Sequence, residues 1–128
     1  MSHKRIWLGL ASLILAHIIL SMITQAILPE STASITAQSI VVQFLAAIVG
    51  GFVARERFIL VAMGVWAALW AAVLYTLYLI AVPTGQASIL SIIQHTVVTL
   101  LLSGAATVVG VHLGQALATL REKHAAAT

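Results

Sequence analysis

The chain has 128 residues, of which 62% are hydrophobic and 7% are charged, and its mean hydropathy is +1.13. Because soluble domains carry about 25% charged residues, this composition excludes a soluble globular protein and predicts an integral membrane protein. The net charge of +3 comes from six basic residues in three separate pairs, too dispersed to bind a nucleic-acid backbone. With no cysteine, the chain can form neither a disulfide nor a thiolate-held metal site.

Four long apolar runs predict an all-α membrane protein with four transmembrane helices in a single domain, 1–128. The predicted spans are about 6–28, 36–54, 58–82 and 89–113, with a helical cytoplasmic extension of the last one to about residue 120. Each run is long enough to cross a hydrocarbon core of about 30 Å. The polar breaks at 29–35, 55–57 and 83–87 are typical of turns. Such short connections make consecutive helices neighbours, which predicts an up-down-up-down bundle.

The basic residues predict the orientation of this bundle. All of them fall on one side of the four-span arrangement: Lys4, Arg5, Arg55, Arg57, Arg121 and Lys123. The opposite loops carry Glu30 and no basic residue. Because cytoplasmic loops carry an excess of Lys and Arg, we expect both termini in the cytoplasm and a multi-pass protein of the cell inner (plasma) membrane.

Small residues recur every three or four positions along three of the predicted helices. Such faces let two backbones approach closely, which is how helices associate in lipid. We therefore predict helix packing at Ala47, Gly50, Gly64, Ala106, Gly110 and Gly114.

The third predicted helix has two contrasting faces, one with Gly64 and alanines and one with Trp66 and Trp70. If the small face packs inside the bundle, both indoles project outward near the middle of the membrane. Interfaces are enriched in tryptophan, so these two residues form a candidate partner interface. The alternative is that the indoles only meet lipid.

Polar residues lie on one face of three of the spans and define a candidate polar path: His17, Ser21, Gln43, His95, Thr99 and Ser103. Such residues often form hydrogen bonds across helices, each contributing about 0.6 kcal/mol, so bundle stabilisation explains them adequately, and a solvated path or substrate site is the alternative. His17 is the strongest candidate, because an ionisable group in mid-membrane is costly and marks a functional site by default. A neutral imidazole bonded to a Thr or Gln is the alternative.

Motifs for soluble catalysis are missing from the sequence. The chain has no Asp, its three Glu residues lie outside the spans, and no phosphate-binding loop or hydrolase motif is present. We therefore predict no enzymatic activity, no metal and no cofactor. The partners expected are the lipid bilayer and either other membrane subunits or a second copy, with no nucleic acid.

Three functions are compatible with these features. The preferred one is a non-catalytic accessory or structural subunit of a larger membrane complex. The second is an oligomeric small-solute or ion channel or transporter, with a polar path around His17, Gln43 and His95. The third is a redox subunit that binds a b-type haem or a quinone through His17 and His95, whose predicted depths permit shared axial ligation.

Overall fold

The computed structural model of the protein describes residues 3–27, 32–55 and 57–128, with the backbone alone at 32–36. This part of the chain forms four helices: α1 (His3–Ile27), α2 (Thr32–Ala54), α3 (Ile59–Ala81) and α4 (Ile89–Ala127). All four are long and apolar enough to cross a membrane. The predicted class, an all-helical protein with four candidate membrane spans, is thereby confirmed.

Two of the predicted helix boundaries are wrong by several residues. α2 begins at Thr32, so the last part of the predicted turn at 29–35 is helical; its first part, 29–31, lies outside the described residues. α4 continues to Ala127 rather than ending near residue 120, because its polar end consists largely of Arg, Glu, Lys and Ala, which are strong helix formers. α3 begins and ends within one residue of the prediction.

α2 is the centre of the bundle. It packs most extensively against α4 and then against α1, whereas α3 packs mainly against α4. α1 meets α3 only briefly, and within the described ranges it makes no close backbone approach to α4. The helices therefore follow the spatial order α1, α2, α4, α3, with the two outer ones nearly apart.

Glycines bring the α2 and α4 backbones into contact. A Cβ atom built on Gly110 would lie 2.7 Å from the carbonyl oxygen of Phe44 and 2.9 Å from the Cβ of Ala47. One built on Gly114 would collide with the carbonyl oxygen of Ile48. These predicted packing positions thus lie where a side chain has no room, and close contact of this kind stabilises helix pairs in lipid.

A second glycine contact joins α1, α2 and the turn that follows α2. Phe58 is fully buried, and its ring lies over Gly9 and Gly50. A Cβ on Gly50 would come within 2.7 Å of the Phe58 ring, and one on Gly9 within 3.2 Å. The predicted packing position Gly50 therefore faces α1 and this ring, and the two glycines form a pit for one aromatic side chain.

Gly64 departs from the packing prediction. It is exposed, and a Cβ built on it would meet no described heavy atom beyond the local helix backbone within 4 Å. The prediction is wrong within this chain, because α3 turns its tryptophan face towards α4 and leaves its small face uncovered. Ala106 on α4 is half-buried.

The buried core occupies only one half of the bundle. At that end, which we call the basic end, Arg55 forms an ion pair with Glu122. The outermost buried residues, counted from the basic end, are Leu13 in α1, Val42 in α2, Ala62 in α3 and Ser103 in α4. Beyond them, no described side chain is buried. The bundle is thus tightly packed at the basic end and loosely packed at the other, which we call the open half.

Candidate functional site

A cavity of about 300 Å³ lies among all four helices. Its lining consists of His17 from α1, Ser39 and Gln43 from α2, Trp66, Leu69, Trp70 and Val73 from α3, and Ser103 from α4. His17 lies one helical turn beyond Leu13, and Trp66 one turn beyond Ala62. The cavity therefore begins where the packed core ends.

The cavity lies near the middle of the predicted spans. At about 1.5 Å per residue, Gln43 is about 16 Å from the end of α2 at Ala54, and Trp70 is about 16 Å from the start of α3 at Ile59. Half of a hydrocarbon core of about 30 Å is about 15 Å. Side chains at this depth face hydrocarbon rather than bulk water on the outside of the bundle, so their polar atoms need partners on its inside.

The two tryptophans are held by one serine. The indole N–H groups of Trp66 and Trp70 each donate to Ser103 Oγ at 2.9 Å, and this hydroxyl donates to the carbonyl oxygen of Leu100 at 3.0 Å. Gly104 leaves space for the Trp66 ring, since a Cβ there would lie 3.1 Å from Cζ2. Ser103 and Gly104 together thus fix both indoles against α4.

The prediction that both indoles project outward is wrong. They line the interior cavity, because an indole N–H in mid-membrane needs an acceptor and Ser103 supplies one. The sequence contained this signal, a serine followed by glycine within an apolar helix, but the prediction used only the side-chain sizes on α3.

A second polar contact lies beside the cavity. Gln43 Nε2 donates to Thr107 Oγ1 at 3.0 Å, and the Thr107 hydroxyl donates to the carbonyl oxygen of Ser103 at 2.8 Å. All three side chains are buried. This network ties α2 to α4 immediately below the cavity, and Thr107 is a member that the sequence analysis missed.

His17 is the exception among the buried polar groups. Its Nδ1 is the one buried side-chain nitrogen or oxygen that has no hydrogen-bond partner within the described part of the chain. Because an unpaired buried polar atom is costly and His17 lines the cavity, a rotation of the imidazole that turns Nδ1 towards a bound molecule would be favourable.

The predicted polar path is only partly assembled. His17, Gln43 and Ser103 meet at the cavity, whereas Ser21 and Thr99 are half-buried residues outside its lining. His95 is exposed, and its Nδ1 lies 2.8 Å from the Ser91 carbonyl oxygen of its own helix. His95 therefore does not share the cavity with His17, and nothing in the geometry favours their joint ligation of a haem.

The fold and the cavity define a class of protein, an all-helical bundle with four candidate membrane spans and a half-open cavity at the boundary between a packed and an open half. No protein-family model, curated protein or solved structure matches the chain.

Proposed function

We propose that the four helices span the inner (plasma) membrane up-down-up-down, with both termini in the cytoplasm. The residue pairs that meet along the helices support an antiparallel arrangement of α1 and α2 and a parallel arrangement of α2 and α4. The supporting pairs are Gly9 with Ala54, Leu13 with Gly50, Phe44 with Gly110, and Ile48 with Gly114. The basic residues, which mark cytoplasmic ends, support placing the basic end inside.

Cysteine labelling tests this orientation. The chain has no native cysteine, so single variants carry no background. We expect Gln86→Cys, in the exposed turn between α3 and α4, to react in intact cells with a membrane-impermeant maleimide. Ala126→Cys, at the exposed end of α4, should react only after the cells are permeabilised. The reverse pattern would show that the orientation is inverted.

We propose further that the protein is a small-solute transporter without enzymatic activity. The observation that carries this proposal is the cavity among all four helices, at the level where the packed half meets the open half. Transporters bind their solutes near the middle of the bilayer and expose the site to one side at a time. A cavity that is closed towards the basic end and loosely covered elsewhere fits one of these two states.

The contacts at the basic end suggest what must move. Below the cavity, α2 and α4 are joined by backbone contact at Gly110 and Gly114 and by the bond from Gln43 to Thr107. α1 and α3 lie at the two sides of this pair and barely touch each other. Release of a solute towards the cytoplasm would therefore proceed by separation of α1 from a fixed α2–α4 pair.

Thiol accessibility in oriented proteoliposomes tests this mechanism. Val73 is about half exposed beside the cavity, whereas Leu13 is fully buried in the core of the basic end. We expect Val73→Cys to react rapidly with a charged methanethiosulfonate added on the open-half side. Leu13→Cys should react more slowly, from the basic-end side, because a transporter must open that side transiently.

The control is the fully buried Val111, which contacts Gly51 in the α2–α4 pair. Val111→Cys should stay unreactive while Leu13→Cys is modified, because global unfolding would expose both. If Leu13→Cys stays as protected as Val111→Cys, the basic end is a static core and the transport proposal fails.

The second candidate is an accessory role in a larger membrane assembly, favoured by the uncovered small face of α3. Gly64, Ala68 and Ala72 are spaced by four residues and are all exposed. Small residues at this spacing pack on a neighbouring helix in lipid, and the described part of this chain provides none for this face. A partner subunit or a second copy would supply it, and Gly64→Leu, discussed below, tests that role.

A further inference from the structure

The cavity also constrains the chemistry of its ligand, an inference that rests on the proposed transport function. The first constraint is size. A dry protein cavity of about 150 Å³ holds benzene, and this one measures about 300 Å³. A ligand with one or two fused rings therefore fits.

The second constraint is charge. Among the described residues, no Asp, Glu, Lys or Arg lines the cavity, so a charged ligand would find no counter-charge from this part of the chain. Transfer of an unpaired ion out of water is far more costly than transfer of a neutral polar group. A neutral ligand is favoured.

The third constraint is hydrogen bonding. The indole N–H groups of Trp66 and Trp70 are occupied by Ser103, whose own proton goes to Leu100. The tryptophans therefore offer apolar ring surface rather than donors. His17 Nδ1, by contrast, is buried without a partner among the described residues.

We propose that the cavity binds a neutral, ring-containing molecule whose single polar group pairs with His17 Nδ1 once the imidazole turns that nitrogen towards the cavity, while its rings pack against Trp66 and Trp70. Whether the imidazole donates or accepts depends on its tautomer, and a hydroxyl group serves either case. Aromatic alcohols therefore represent this ligand class.

Equilibrium dialysis with a matched pair of probes tests this proposal. The protein in nanodiscs is dialysed against naphthol or naphthalene, which share their rings and differ by one hydroxyl, and empty nanodiscs correct for uptake into lipid. We expect naphthol to bind about five to ten times more tightly than naphthalene, the value of one buried hydrogen bond. Cationic naphthylmethylammonium should bind more weakly than naphthol.

Substitutions assign the preference to one atom. His17→Phe should keep naphthalene binding and lose the preference for naphthol, whereas His17→Asn, which retains a polar atom near the Nδ1 position, should keep part of it. The matched control is His95→Phe, the same change at an exposed histidine outside the cavity, and it should leave the preference intact. Retained naphthalene binding also shows that a variant is folded.

Two results would overturn the ligand class. Equal binding of naphthol and naphthalene, unchanged in His17→Phe, would remove the role of His17, and tighter binding of the cation would remove the requirement for neutrality. Neither result tests the transport proposal, because that proposal is tested separately by the accessibility of Leu13→Cys.

Discussion

Replacing Gly114 with leucine should destabilise the bundle by about 3 kcal/mol or more, at the upper end of the range for overpacked interiors. Even a single Cβ at this position would collide with the carbonyl oxygen of Ile48 and lie 2.7 Å from the backbone nitrogen of Phe52. Both neighbours are backbone atoms, so no side chain can rotate away. Leucine must therefore push α4 away from α2 and break the largest interface in the protein.

Denaturation of the detergent-solubilised protein measures this loss, and Gly64→Leu is the matched control. It is the same substitution in another apolar helix, at a glycine where an added Cβ would meet no described heavy atom beyond the local helix backbone within 4 Å. We expect the control to be as stable as the wild type or slightly more stable, because glycine is a poor helix former. Equal losses in both variants would mean that the α2–α4 contact is not close.

The same control decides the accessory role. If a partner helix covers the small face of α3, Gly64→Leu should leave the isolated bundle folded and remove any membrane protein that co-purifies with the wild type. Retention of that protein by the variant would exclude the Gly64 face as its binding surface.

Phe58→Ala should cost about 3 to 5 kcal/mol, the usual loss for a buried phenylalanine. The Phe58 ring is fully buried over Gly9 and Gly50, and neither glycine has a side chain that could move into the pit. In lipid, the hydrophobic effect contributes less to this free energy than it does in water. The loss of packing contacts around the unfilled space remains.

Leu60→Ala is the comparison for Phe58→Ala, because Leu60 lies two residues further on and is 85% exposed. We expect it to change the denaturation midpoint little. Phe58→Leu, which fills part of the pit, should recover part of the stability. If Phe58→Ala and Leu60→Ala are equally stable, the ring does not join α1 to α2.

The four helices followed from the sequence because each is a long apolar run, and run length alone determines whether a segment can cross a bilayer. The start of α2 at Thr32 and the end of α4 at Ala127 were not predicted from the sequence. At both places the residues are polar enough to suggest a turn or a tail, yet they are compatible with a helix that continues beyond the membrane core.

The site was predicted in part. His17, Gln43 and Ser103 were identified because polar residues in a span turn away from lipid. The cavity itself depends on the rotation of α3, and both faces of that helix are apolar. Its pattern therefore separates a small face from a tryptophan face without indicating which one points inward. That choice is made by Ser103 and Gly104, two residues of a different helix.

The turn between α2 and α3 combines two requirements that conflict. Arg55 and Arg57 have positive φ angles of 69° and 52°, a left-handed conformation that glycine adopts without penalty and other residues adopt at a cost of about 1 kcal/mol or more. Glycine carries no charge, however, and in the proposed orientation these arginines help to hold the turn in the cytoplasm while the chain is inserted. Arg57→Gly would thus relax the finished backbone while weakening the signal that orients it, so a variant with a more stable fold would yield a larger fraction of molecules inserted the wrong way round.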